Sequence, residues 1–81
     1  MIVSDEMNEM VKSKVICIQH IRIGKKTMVC CITLKNGFEV IGTAACVDVK
    51  EFDEKLGKEL SYRDAENKVL EFEAYLMQEK L

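Results

Sequence analysis

The chain has 81 residues, of which 48% are apolar, with 12 Lys and Arg against 14 Asp and Glu. A chain this short buries only roughly 60–65% of its surface on folding, so its core is thin and self-association is an expected supplement. A net charge of −2 argues against a dedicated non-specific nucleic-acid binder, the Ile, Val and Leu content argues against disorder, and no apolar run approaches the ~20 residues of a membrane span.

The reading is a single α+β domain over residues 1–81. It comprises a short N-terminal helix (1–14), a three-stranded antiparallel meander (15–47) and two C-terminal helices (48–81). Residues 1–8 are acidic and have neither the basic start nor the apolar run of a secretory or transit segment.

Residues 4–13 predict an amphipathic helix, with Ser4 as N-cap, Asp5 and Glu6 at the positive end of the dipole, and Met7, Met10 and Val11 on one face. Residues 15–23 (VICIQHIRI) are β-branched and read as a strand, and Gly24-Lys25-Lys26 reads as a turn. Residues 27–34 (TMVCCITL) are apolar on both faces, which suits a central strand. Asn36-Gly37 is a strong hairpin signal, since both residues tolerate positive φ. Residues 38–47 (FEVIGTAACV) form the third strand, in which Gly42 suggests a bulge or the close approach of another backbone.

Asp48, with Glu51 three residues on, has the spacing of a capping box and predicts a helix over 49–60, striped by Phe52, Leu56 and Leu60. Gly57 interrupts that helix at about 1 kcal/mol relative to Ala, or permits close packing. Ser61 with Asp64 repeats the cap signature and predicts a separate last helix over 62–80. Its apolar stripe, Tyr62, Ala65, Val69, Phe72 and Leu76, is widened by Tyr75 and Met77 beyond what one thin sheet needs. A homo-oligomer, at least a dimer, with this helix in the interface is therefore expected.

The chemistry-bearing residues are few. The four cysteines, Cys17, Cys30, Cys31 and Cys46, lie inside apolar runs, with no CxxC pair and no histidine at zinc-finger distance. They read as small buried hydrophobes. The sole histidine, His20, reads as a solvent-facing strand residue. No phosphate-loop, dinucleotide or HExxH motif occurs. The carboxylates have lysines four residues away, as in Glu54–Lys58 and Asp64–Lys68, and read as solvated helix-face pairs. No enzyme, metal or cofactor is expected.

Charge is uneven: residues 15–47 carry a net +3, from Arg22, Lys25, Lys26 and Lys35 against Glu39, while residues 48–81 carry −4. Basic hairpin tips admit two readings, ordinary solvated turns or a small anion-binding surface.

The stretch from Thr27 onward resembles a small phage-protein family named after gene 49 of one phage and gene 66 of another. The resemblance rests on Thr33–Phe38 (TLKNGF), Gly42–Asp48 (GTAACVD), Glu51–Gly57 (EFDEKLG) and the Tyr75-Leu76 pair in the final helix. Val49 departs from a common proline and Leu70 from a bulkier aromatic. Membership implies a phage product acting in the host bacterial cytoplasm. The family is also similar to the first described class of Thoeris anti-defence proteins, strand-then-two-helix oligomers that sequester a cyclic ADP-ribose signal.

The resemblance implies a cyclic-nucleotide partner bound without cleavage; the short apolar runs and the negative net charge leave neither a membrane nor a nucleic acid as the expected partner. The alternative is an inhibitor that binds a host defence or nucleic-acid enzyme directly. Phe38 and Tyr62 supply rings for stacking, and Arg22, Lys35, Arg63 and Lys68 supply cations for phosphate. Asn36 and Asp48 flank the glycines Gly37 and Gly42, which open the backbone to a ligand. The expected site lies where the Asn36–Phe38 turn, the Gly42–Asp48 segment and the start of the last helix meet. Arg63, in the first turn of that helix, opposes the dipole. A phosphate explains it, as does an ion pair with a neighbouring acid.

Overall fold

A computed structural model describes residues 5–81, with side chains from residue 9 onward. Helix α1 (Asp5–Lys14) leads straight into an antiparallel meander of β1 (Val15–Ile23), β2 (Thr27–Leu34) and β3 (Glu39–Ala45), in spatial order β1-β2-β3. A three-residue 3-10 turn (Val49–Glu51) follows, and then one long helix, α2 (Glu54–Glu79). The mixed α+β class, the three strands and the N-terminal helix match the expectation. The predicted Ser4 cap and the Met7 side chain lie outside the described residues.

Strand β2 is central, as its two apolar faces imply. Its alternate residues Met28, Cys30, Ile32 and Leu34 are buried beneath α2, and the intervening ones are half-exposed on the other side. On β3, Val40 and Gly42 point the same way as the buried set. The core closes with Ala65, Val69 and Leu70 of α2 and Val11 of α1. Leu70, the departure from the family pattern, is 1% exposed and fills this core. The β1–β2 register shifts between Val15 and Cys17, so the one bulge in the sheet lies at Ile16. The β2–β3 register is regular through Gly42.

The β2–β3 turn is built on Gly37 alone. Gly37 has φ +89, and no described residue other than glycine has positive φ, so Asn36 does not. The Gly37 N–H donates to Leu34 O (2.8 Å) and the Leu34 N–H to Phe38 O (2.9 Å). This is a three-residue hairpin loop that ends in a left-handed glycine. Asn36 contributes through its side chain, whose Oδ1 accepts from the Phe38 N–H at 3.0 Å.

The predicted pair of C-terminal helices is corrected to one. Asp48 does act as a cap, its Oδ1 accepting from Lys50 N at 3.0 Å, but it caps only the 3-10 turn. The N-cap of α2 is Asp53, which accepts from Leu56 N at 3.2 Å. Ser61 is fully buried mid-helix, and its hydroxyl donates to Lys58 O at 3.1 Å instead of capping a new start. The physical reason is the seam Gly57, Ser61, Ala65 and Val69, small residues at four-residue spacing that keep a single straight face on the sheet. A break at Ser61 would interrupt that face and strip backbone hydrogen bonds from a buried turn.

The seam also corrects the predicted face of the first half of α2. Leu56 and Leu60 are 49% and 42% exposed, while Gly57 and Ser61 are buried. Gly42 has the role of admitting another backbone: a Cβ there would collide with Ser61 O and Ala65 N, and would lie 2.8 Å from the Ala65 Cβ. The space over Gly42 is thus filled by α2 and is closed to any ligand.

Two further features fix α2 in place. Asp64 Oδ2 accepts from the Thr43 N–H (2.9 Å) and Lys68 Nζ donates to Ile41 O (2.7 Å), so this i,i+4 pair satisfies outward backbone groups on the β3 edge. At the other end, Lys14 Nζ meets Glu73 Oε1 at 2.6 Å and ties α1 to α2. With 26 residues, α2 is about 39 Å long at 1.5 Å per residue, longer than any strand beneath it. Its C-terminal turns leave Phe72, Tyr75, Leu76 and Met77 half-exposed or more. The breadth of its apolar stripe is as the sequence indicates.

Candidate functional site

Because α2 lies over β2 and β3, β1 is left uncovered on the helix side. A groove of about 460 Å³ follows, with His20 of β1, Lys12 of α1 and Lys58, Glu59, Tyr62, Arg63 and Glu66 of α2 along it. His20 and Tyr62 are half-buried and Lys12, Lys58 and Arg63 exposed. The His20 Nε2 lies 3.2 Å from Lys58 O, so the solvent-facing placement expected of it is corrected. It occupies the helix side of β1, paired with Cys30 across the register.

Tyr62 packs against the core. Its phenol pKa is pushed up to about 12, first by burial and then by the carboxylate of Glu66 beside it. The ring therefore stays neutral, with an apolar face and a polar tip. Arg63 is mid-helix, ten residues into α2, and so not in a first turn. Its guanidinium is 3.5 Å from Glu59, in an exposed i,i+4 pair. Arg63 therefore does not oppose the dipole at a helix start, and its ion pair with Glu59 accounts for its position. Ser61 likewise presents no helix N-terminus to an anion.

Within one chain, the six candidate residues do not form one site. Tyr62 and Arg63 share the groove just described. Asn36 and Phe38 lie at the β2–β3 turn, in a second, apolar groove of about 320 Å³ with Leu34, Val69, Phe72 and Tyr75. Phe38 is 54% exposed and meets Phe72 edge-on, ring centres 5.9 Å apart. Lys68 is engaged with Ile41 O and Asp64 at the β3 edge. Asp48 lies past the far end of β3 from Phe38, and the run from Phe38 to Ala45 alone spans about 23 Å at the strand rise. The Gly42–Asp48 segment and the start of α2 do meet, in a small apolar recess around Ala44, Cys46, Phe52 and Leu56, but the Asn36–Phe38 turn is at the other end of the sheet.

His20, Lys12 and Lys58 are the groove residues that the sequence reading missed. An inward-facing His20 was available from its alternation with Ile18, but the side of β1 left open depends on where α2 lies. The cysteines also differ from expectation. Only Cys30 is fully buried; Cys17 is exposed and Cys31 and Cys46 are intermediate. Burial and the adjacent Cys31 push the Cys30 thiol pKa up, and burial, Glu39 and Cys17 do the same for Cys31. Both thiols are thereby kept protonated and poorly nucleophilic. Arg22 lies over the Phe52 ring, 4.3 Å from its centre, on the helix side of the sheet.

The family model for Phage protein (N4 Gp49/phage Sf6 gene 66) matches residues 2–81. The chain belongs to that phage protein family. No curated protein and no solved structure matches it. No helix among the described residues is long and apolar enough to cross a membrane.

Proposed function

We propose that this phage-family protein works by binding, as an anti-defence factor that sequesters a cyclic nucleotide signal of the cyclic ADP-ribose type without cleaving it. The observation that carries the reading is the α2–β1 groove. There a neutral, half-buried Tyr62 ring lies among three exposed cations, Lys12, Lys58 and Arg63, with His20 on the β1 side. Its volume falls in the range of small-molecule sites. An aromatic face suits a purine, and dispersed cations suit a pyrophosphate. Glu59 and Glu66 in the same groove suit ribose hydroxyls.

The test is incubation with cyclic ADP-ribose isomers, removal of free ligand and heat denaturation. Intact nucleotide released from the protein supports sequestration. Recovery of a hydrolysed product would mean an enzyme, and recovery of nothing would remove the reading. A second reading, direct inhibition of a host defence or nucleic-acid enzyme, is favoured by the exposed apolar end of α2 around Phe72, Tyr75 and Leu76. It predicts instead a host protein retained on the wild-type chain and lost with Leu76→Asp.

A further inference from the structure

The two edges of the sheet differ in how their outward backbone is treated. The Cys46 N–H donates to Lys26 O (3.1 Å) and the Leu34 N–H to Phe38 O (2.9 Å), so the even-numbered residues of β2 bond to β3 and the odd-numbered ones to β1. On β3 this turns the backbone of Ile41 and Thr43 outward, where Lys68 donates to Ile41 O and Asp64 accepts from the Thr43 N–H. On β1 it commits Cys17, Gln19, Ile21 and Ile23 to β2 and turns the N–H and C=O of Ile18, His20 and Arg22 out of the sheet. Among the described residues none of these outward groups of β1 has a hydrogen-bond partner. Helix α2 thus closes the β3 edge and leaves the β1 edge open.

Strand β1 also lacks the devices that keep sheet edges apart. From Cys17 to Ile23 its pairing with β2 is regular, with the bulge before it at Ile16. The same run has no proline, no lysine and no acid. Its two polar side chains on the helix side are turned back onto their own chain. The His20 Nε2 lies 3.2 Å from Lys58 O, and Arg22 lies over the Phe52 ring, 4.3 Å from its centre. Ile18 is left beside the open edge, 46% exposed. A row of alternating donors and acceptors of this kind is satisfied by another extended backbone.

We propose that the β1 edge pairs with the β1 edge of a second copy, antiparallel about a two-fold axis through His20, so that two three-stranded sheets become one continuous sheet. The outward set is self-complementary about His20. His20 meets the partner's His20, and Ile18 meets the partner's Arg22, twice by symmetry, so all three outward residues exchange hydrogen bonds. Arg22 is the one Lys, Arg, Asp or Glu between Val15 and Ile23, and in this register no like charge lies opposite it. An axis at Ile21 would set it beside the partner's His20, and an axis at Gln19 would send it onto the partner's Ile16, in the bulge. The position of α2 leaves room for the second copy. The axis stands normal to the sheet and puts both α2 helices on the same side. Because α2 lies over β2 and β3, the two helices are about 19 Å apart at the usual strand spacing, clear of the roughly 10 Å at which packed helices meet. The proposal does not rest on the nucleotide reading, and it places the interface on β1 instead of the last helix named by the sequence.

Amide hydrogen exchange with sedimentation equilibrium tests it. At submillimolar concentration the wild type is expected at twice the 9.3 kDa chain mass. The amides of Ile18, His20 and Arg22 are expected to gain protection as the dimer forms, while those of Gln19 and Ile21 are protected at every concentration. Ile18→Pro removes only an outward N–H, which an edge strand tolerates, and Ile18→Lys adds the charge that edges commonly carry. Both are expected to keep the circular dichroism spectrum and to dimerise at least about tenfold more weakly. In a mixed dimer of labelled and unlabelled chains, the α-proton of Gln19 is expected to show a contact with that of the partner's Ile21. A monomeric wild type overturns the proposal. So does a dimer in which the three outward amides exchange freely, one that survives both Ile18 substitutions, or one abolished by Leu76→Asp and untouched on β1. A contact to a different partner residue overturns the axis.

Discussion

Gly42 of β3 lies directly beneath Ala65 of α2, so close that a Cβ on the glycine would be 2.8 Å from the alanine Cβ and would collide with the backbone of Ser61 and Ala65. Helix and strand meet backbone to backbone at this point. Gly42→Ala is therefore expected to push α2 off the sheet, at a cost of about 1–3 kcal/mol or more. Gly57→Ala is the control. Its Cβ would meet Met28 Cβ at 3.3 Å and the Phe52 ring at 3.4 Å; the ring can yield, the Met28 Cβ moves only with the strand, and the gain in helix propensity offsets that mild crowding. It is expected to change stability by less than about 1 kcal/mol. Urea unfolding of both variants measures the difference.

The continuity of α2 through Ser61 has its own test. Were Ser61 an N-cap, proline in the turn after it would be tolerated. In an unbroken helix, Arg63→Pro removes an internal hydrogen bond and clashes with the preceding turn, at a cost of about 3 kcal/mol or more. Arg63 is exposed and its one ion pair is a surface pair, so little else is lost with its side chain. The expected result is a large fall in the urea midpoint. An unchanged midpoint would mean a helix boundary at Ser61.

Strand patterning was legible because alternation along residues 27–34 and the Asn36-Gly37 turn are local signals, and the structure keeps both. In isolation Ser61-x-x-Asp64 has the spacing of a cap, which is why the sequence suggests a helix break that α2 does not have. Only the sheet, through Gly42, explains why a small buried residue is needed there. Leu56 and Leu60 outweighed Gly57 and Ser61 in the apolar periodicity, yet the close approach of backbones selects the smaller side chains. The candidate groove was half legible: Tyr62 and Arg63 were found, but His20 and Lys12 enter it only through the path of α2.

Tyr62 makes a pH prediction. Its folded pKa, raised to about 12 by burial and by Glu66, exceeds the ordinary value near 10. The folded state therefore holds the proton while the unfolded state releases it. The contribution is full below pH ~10 and is lost as pH rises from there through about 12. Stability is expected to fall over that window and to fall less in Tyr62→Phe. Ultraviolet titration of the folded protein is expected to show a tyrosine ionising near 12. A Tyr62 that titrates near 10 would place the ring in open water and not in the groove wall.

Ligand titration by calorimetry, with cyclic ADP-ribose isomers on the wild type and on Arg63→Ala, Tyr62→Ala and Phe38→Ala, bears most directly on the central claim that the α2–β1 groove holds a nucleotide signal. The wild type is expected to bind, Arg63→Ala and Tyr62→Ala to bind at least about tenfold more weakly, and Phe38→Ala, whose ring lines the other groove, to bind unchanged. No heat with the wild type, or loss of binding in Phe38→Ala alone, would contradict it.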